Sequence, residues 1–188
     1  MEHLQSDDTL RFLKKPKPPD PSVVKRWEGR LEVLSNPDGF IIQCTLALSN
    51  TKIFYTPDVR DSTKTFLAHL LPSFVIKLEG AWQESSFLFP HAHVLLPVLP
   101  EVRPFLEAIK LSGAKVYRSK FQGQVLPDPF SLIPDRGPDL PDLSVLKHLV
   151  SFRDSTITTL KNSPDLARYL AKTTYTGGLR PVIEHHLK

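Results

Sequence analysis

The chain has 188 residues, with 24 lysines and arginines against 20 aspartates and glutamates, and 40% of the residues are hydrophobic. This apolar fraction supports a folded core and excludes wholesale disorder, and no apolar run reaches the ~18 residues of a membrane-spanning helix. Because Cys44 is the single cysteine, an internal disulfide is excluded, and we expect a nuclear or cytoplasmic protein that is not secreted.

The 18 prolines divide the chain, since nine of them lie in two clusters, within residues 16–21 and within residues 127–141. Proline removes a backbone donor and stiffens the chain, so neither cluster should lie inside a helix or a sheet. We therefore predict four parts: a basic, proline-rich tail (1–22), a β-rich body (23–121), a proline-rich linker (122–142) and a helical C-terminal segment (143–188).

Positive charge is concentrated outside the centre of the body. Residues 11–30 hold seven bases and two acids, and residues 103–120 hold five bases and one acid. Residues 31–102 hold four bases and seven acids. Basic segments attract phosphate groups or anionic membranes, so nucleic-acid binding should depend on these flanks. The alternative is that the charged segments only keep the protein soluble.

The pattern of the body indicates strands interrupted by one helix. Alternating apolar and polar residues predict strands at 27–33, 40–48, 52–55, 74–80 and 87–95. Asp61 or Ser62 can cap a helix that Pro72 ends, because the apolar spacing between them is helical.

Beyond the body's fifth strand, the sequence predicts a helix at 102–111 and a sixth strand at 115–121. A second helix is expected at 143–150. Ser163-Pro164-Asp165 combines an N-cap, a first-turn proline and a first-turn acid, which predicts a last helix.

The order strand, strand, strand, helix, strand, strand resembles the OB-fold domains of replication protein A and of telomere-capping proteins. Gly29 in the first predicted strand and Gly80 in the fourth match the glycines at which such strands bend. The resemblance implies an α+β fold that is mainly β: a five-stranded OB-like barrel with an inserted helix and C-terminal helices. The same elements also fit an open α+β sandwich.

The resemblance further implies binding of single-stranded nucleic acid by stacked aromatic rings and a basic groove. The candidate residues are Lys14, Lys15, Lys17, Lys25, Arg26, Trp27, Lys52, Tyr55, Lys77, Trp82, Lys115, Arg118 and Lys120. The alternative for each aromatic residue is a place in the hydrophobic core.

Catalytic and metal-binding motifs are not recognisable in the sequence. His91 and His93 share one face of a strand, but a metal ion needs a third ligand, and Glu101, His69 and Glu84 lie at no familiar spacing. Cys44 alternates with apolar residues and should be a buried, inert thiol. We therefore expect neither a cofactor nor a metal, and no enzymatic activity.

Three functional hypotheses follow. The first is an OB-type subunit of a nucleic-acid-associated hetero-complex, and the second is a protein scaffold that assembles a complex through its helices. The third is a viral matrix-like or capsid-like protein that touches an anionic membrane or a genome electrostatically, without a transmembrane segment.

Overall fold

The computed structural model describes residues 18–49, 57–81, 88–135, 137, 139–172 and 182–187. The fold is α+β. In chain order the elements are α1 (Pro21–Leu34), β1 (Phe40–Leu48), α2 (Pro57–Leu70), β2 (Phe74–Ala81), β3 (Leu88–Leu96), a 3₁₀ turn (Pro100–Val102), α3 (Arg103–Leu111), β4 (Lys115–Tyr117), β5 (Lys120–Phe121), β6 (Gln124–Val125), α4 (Pro129–Leu132), α5 (Ser144–Lys147), β7 (Val150–Lys161), α6 (Pro164–Ala171) and β8 (Val182–His185).

A mixed six-stranded sheet, in the order β4-β7-β1-β3-β2-β8, is the centre of the fold. β4 pairs with β7 in parallel, and the other neighbouring strands are antiparallel. β5 and β6 form a separate two-stranded hairpin. The described strands thus form an open sheet with two edges, and the five-stranded OB barrel is not confirmed.

One face of the sheet carries the larger part of the core. Ile42, Cys44 and Leu46 of β1 project to this face, as do alternate residues of β2 and β3. Leu67 of α2 and Phe105 of α3 cover it, because the apolar positions of both helices recur at helical spacing.

The opposite face is covered by α1 and α6, and we call it the α1/α6 face. Trp27, Leu31 and Leu34 of α1 pack there together with Leu170 of α6. Only part of this face is apolar. The ends of β1, β2 and β3 near Leu48, Ala81 and Leu88 carry polar side chains on the same face, as described below.

The strand predicted at 27–33 is wrong, because these residues belong to α1. The carboxylate of Asp20 accepts the N–H of Ser22, and Pro21 occupies the first turn, so the helix has a good N-terminus. Trp27 and Leu31 fit both a period of two and a helical period. Val33 resolves the ambiguity, since it is 49% exposed and does not share their face.

Gly29 therefore lies in a helix and not at the bend of a strand. This removes one of the two glycines that the resemblance to OB domains rests on. Gly80 does lie in a strand, β2, as predicted. The strand predicted at 52–55 lies outside the described residues.

Most other predicted elements are confirmed. β1, α2, β2, β3, α3 and α6 lie within a few residues of their predicted positions. The strand predicted at 115–121 is present as two short strands, β4 and β5, in different sheets. The helix predicted at 143–150 is limited to the four residues of α5.

The long strand β7 was not predicted, although it pairs with both β1 and β4. Between Ser151 and Thr156 its register against β1 shifts, so the strand is locally irregular. Val150 and Phe152 are buried before the shift, whereas Ile157 is buried after it. The buried hydrophobic residues therefore have even numbers before the shift and odd numbers after it, which hides the alternation by which a strand is recognised.

The segment predicted as a linker, 122–142, packs in part on the body, since Ile133 is 2% exposed within the main core. Within the ranges that the structure describes, no helix is both long enough and apolar enough to cross a membrane.

Candidate metal centre on the sheet

Five polar side chains form a cluster at one end of the α1/α6 face. We call them the polar cluster: Thr45, Lys77, Glu79, His91 and His93. The pairing of three strands brings them together, because His93 lies opposite both Thr45 of β1 and Lys77 of β2. Glu79 of β2 lies opposite His91 of β3. All five point to one face, since successive side chains of a strand alternate between faces.

Three donor atoms of the polar cluster form a small triangle. The Nε2 atoms of His91 and His93 lie 3.1 Å apart. Oε2 of Glu79 lies 3.3 Å from the first nitrogen and 3.2 Å from the second. The two imidazole rings are nearly perpendicular, with an interplanar angle of 89°.

Hydrogen bonding alone cannot satisfy this triangle. A carboxylate oxygen offers only lone pairs, and each Nε2 offers either one hydrogen or one lone pair. If both Nε2 atoms carry a hydrogen, both N–H groups point to Oε2 and repel each other across the nitrogen–nitrogen edge. If either Nε2 atom lacks a hydrogen, its lone pair faces a lone pair of Oε2. At least one of the three edges is therefore repulsive in every protonation state that keeps the carboxylate ionised.

A divalent cation removes this conflict, because it attracts all three atoms at once. Zinc binds imidazole nitrogen and carboxylate oxygen at about 2.0–2.1 Å, and neighbouring ligands of a tetrahedral ion at that distance lie about 3.3 Å apart. The edges of 3.1, 3.2 and 3.3 Å match this spacing. The described residues that can jointly hold a metal ion are these three, Glu79, His91 and His93.

Thr45 and Lys77, the two remaining members of the polar cluster, orient the side chains of His93 and Glu79. Oγ1 of Thr45 lies 3.3 Å from Nδ1 of His93 and also accepts a hydrogen bond from the side chain of Gln43. A hydrogen on Nδ1 that bonds to Thr45 leaves the lone pair on Nε2, the atom that faces Glu79. Lys77 donates to Oε1 of Glu79 at 2.5 Å, which leaves Oε2 for the triangle. Such outer contacts orient ligands in metal centres.

Burial and charge shift two of these groups. Burial raises the pKa of Glu79, but the neighbouring imidazoles of His91 and His93 and the ammonium group of Lys77 outweigh it, so its pKa lies well below the usual range. Desolvation lowers the pKa of Lys77, and the contact with Glu79 opposes this change. The carboxylate is therefore ionised at neutral pH, as a metal ligand must be.

The polar cluster is accessible from one side. The side chain of His91 is 31% exposed, whereas those of Lys77 and His93 are 2% and 6% exposed. Tyr169 of α6 borders the cluster, with its ring centroid 6.1 Å from that of His93. Among the residues that the structure describes, the three ligands would leave the fourth position of a tetrahedral ion open, as in catalytic zinc sites and unlike four-ligand structural sites.

The structure does not gather the predicted nucleic-acid-binding residues into one surface. Trp27 is 1% exposed in the core, and Lys77 is buried against Glu79, so neither is available for stacking or for a phosphate. Lys25 and Arg26 are exposed on α1, whereas Lys115, Arg118 and Lys120 are exposed on or beside β4 and β5. The remaining candidates lie outside the described residues: Lys14, Lys15, Lys17, Lys52, Tyr55 and Trp82.

These two exposed groups lie toward opposite edges of the sheet. Arg30 of α1 forms an ion pair with Glu184 of β8, which places α1 near the β8 edge. β4 is the other edge of the six-stranded sheet. Strands are spaced about 4.8 Å apart, so the two edges are about 24 Å from each other.

Five exposed cations lie on or near the β4 edge, and we call them the basic edge: Lys110, Lys115, Arg118, Lys120 and Arg153. Gly113 connects α3 to β4 with φ +118°, and a Cβ atom at this position would lie 3.6 Å from Cα of Arg153. Arg153 is therefore adjacent to the turn that separates Lys110 from Lys115.

Glu79 was missed as a third ligand because it lies on another strand, and its place beside the histidines depends on how β2 pairs with β3. The candidates considered were Glu101, His69 and Glu84. The alternation in both predicted strands could have indicated it. If 74–80 and 87–95 pair as a hairpin, Glu79 and His91 lie on one face once the register of the pairing is known. Cys44 is buried, as predicted, and burial raises the pKa of its thiol.

No family model matches the chain, and no curated protein or solved structure is significantly similar to it.

Proposed function

We propose that this chain is a metalloprotein that binds one divalent transition-metal ion at Glu79, His91 and His93. The triangle of donor atoms, with edges of 3.1 to 3.3 Å, carries this proposal. Two imidazoles and one carboxylate favour zinc among the abundant divalent ions, because magnesium and calcium prefer all-oxygen sites. This proposal replaces the expectation that the protein holds no metal.

Isothermal titration of the metal-free chain with Zn²⁺ tests the proposal. One ion should bind per chain, and the H91A/H93A variant should bind it at least about 100-fold more weakly, since two of three ligands are lost. The matched control is H69A/H148A, which removes two exposed histidines outside the polar cluster. Equal losses in both variants would contradict the proposal.

The second candidate function is binding of single-stranded nucleic acid at the basic edge. It is favoured by the exposure of Lys115, Arg118 and Lys120 on or beside β4 and β5, and by Arg153 beside the turn that precedes β4. A phosphate backbone would bind there electrostatically, with an affinity that falls steeply with salt. This proposal depends on the edge of an open sheet and no longer on an OB barrel.

Fluorescence anisotropy with a labelled oligonucleotide at low salt tests this second candidate. The K115A/R118A/K120A variant should bind more weakly and with a smaller salt slope than K25A/R26A/K147A, which also removes three exposed cations. Equal binding by both variants would reject the basic edge. Membership of a hetero-complex, a scaffold role and a nuclear or cytoplasmic location remain predictions.

A further inference from the structure

The charge of the polar cluster is balanced before any metal ion binds. Lys77 donates to Glu79 Oε1 at 2.5 Å, so one ammonium group matches the one carboxylate. A bound divalent ion would therefore leave two uncompensated positive charges in a largely buried place. Unbalanced charge is costly where water is scarce, which makes a negative ligand favourable at such a centre.

A further cation lies beside this centre. Lys172 follows α6 and is exposed, and its Nζ lies 5.2 Å from the centroid of the Tyr169 ring. The same ring is 5.9 Å from Nζ of Lys77 and borders His93. The backbone carbonyl of Lys172 also lies 3.4 Å from Nζ of Lys77, so the start of its side chain is fixed next to the cluster.

Two acidic side chains on the flanking elements β8 and α6 have partners of their own in the described parts of the chain. Glu184 pairs with Arg30, and Asp165 of α6 pairs with Arg168 three residues further along the same helix. Within the polar cluster, Glu79 is the one carboxylate. A negatively charged ligand would supply the missing charge.

We propose that the open coordination position takes a phosphate group. This inference rests on the proposed function, because it requires the metal ion. One phosphate oxygen would occupy the fourth position on the ion, and a second would accept a hydrogen bond from the ammonium group of Lys172. Lysine binds phosphate in this way as a point charge on a long, mobile stem.

Phosphate suits the site better than a simple carboxylate for two reasons. It carries close to two negative charges at neutral pH, which matches the excess charge that a divalent ion creates. Its tetrahedral oxygens also point in different directions, so that one can reach the ion while another reaches a lysine at the rim.

Absorption spectra of the cobalt(II)-loaded full-length chain test this inference, because the visible bands report the ligands of the ion. Inorganic phosphate, added at constant ionic strength with NaCl as the balance, should shift the bands and saturate. Acetate should require at least about tenfold higher concentration. Glycerol 3-phosphate should also bind if the site accepts a phosphate ester, and a response to inorganic phosphate alone restricts the proposal to the free ion.

The K172A variant should weaken phosphate binding about tenfold while its affinity for cobalt changes less than twofold. R168A is the matched control, since Arg168 is an exposed cation on the same helix that pairs with Asp165. Failure of cobalt to bind would overturn the proposed function itself. Normal cobalt binding without a phosphate response, or equal effects of K172A and R168A, would overturn this inference alone.

Discussion

Glu79 lies directly opposite His91 in the antiparallel pairing of β2 with β3, and its Oε2 atom lies 3.3 Å from Nε2 of that histidine. His93 completes the arrangement from the next position on the same face of β3. Rigid strands therefore position all three donor atoms, which reduces the ordering that metal binding would require. Lys77 and Thr45 then restrict which atom each ligand presents.

Replacing Thr45 with valine should weaken zinc binding about tenfold or more, because Nδ1 of His93 loses the oxygen that sets its tautomer and ring orientation. Valine suits a strand, so the fold should persist, as circular dichroism would verify. T156V is the control, since Thr156 lies opposite Thr45 on β7 and pairs with it in the sheet. Equal affinities of the two variants in a zinc titration would argue against a positioning role for Thr45.

The buried pair of Lys77 and Glu79 should contribute to the stability of the metal-free protein. K77M should lower the free energy of unfolding by about 3 kcal/mol, because it leaves a largely buried carboxylate without its ammonium partner. The K77M/E79Q double variant should lose less than the sum of the single variants. Urea unfolding in EDTA measures both values, and K64M, at an exposed lysine of α2, should change little. Additive losses would indicate that the two side chains act independently.

Trp27 tests whether this aromatic ring belongs to the hydrophobic core or to a nucleic-acid-stacking surface. W27A should destabilise the chain by about 4 kcal/mol, because the ring is buried against Leu31 and Leu34 under the sheet. R26A removes the exposed neighbouring side chain and should change stability by less than about 0.5 kcal/mol. A stable W27A protein that loses oligonucleotide binding would instead support the original interpretation as a stacking platform.

Cys44 provides an independent check on the core. Its thiol is fully buried in β1, and this burial raises its pKa, so little of the reactive thiolate forms at neutral or mildly alkaline pH. A thiol reagent at pH 8 should label the native chain far more slowly than the urea-unfolded chain, with the native rate limited by opening of the structure. Fast labelling of the native chain would contradict the packing of β1.

Elements with a regular local pattern were predictable from the sequence. The strand at 40–48 alternates regularly from Ile42 to Leu48, and Ser163 caps α6 by accepting the N–H of Leu166. Trp27 and Leu31 show where this approach fails, because a spacing of four residues satisfies a strand and a helix equally. Asp20 and Pro21, which begin α1, were the signals that distinguish the two.

Features that depend on pairing across the sheet were not predictable. The irregular register of β7 conceals its alternation, so its central place in the sheet could not be inferred. The proposed metal centre also depends on strand pairing. His91 and His93 are two residues apart on one strand, but Glu79 lies beside them only through the register of β2 against β3. The alternation within each strand fixes the face that a residue occupies, but a shift of two residues keeps that face, so the pattern does not specify that Glu79 lies opposite His91.

Anomalous diffraction at the zinc absorption edge, from crystals of the full chain grown with one equivalent of Zn²⁺, tests the central claim most directly. The account predicts one strong peak at about 2.0–2.1 Å from Oε2 of Glu79 and from Nε2 of both His91 and His93. A zinc peak at His185 and His186, with none inside the triangle, would contradict it.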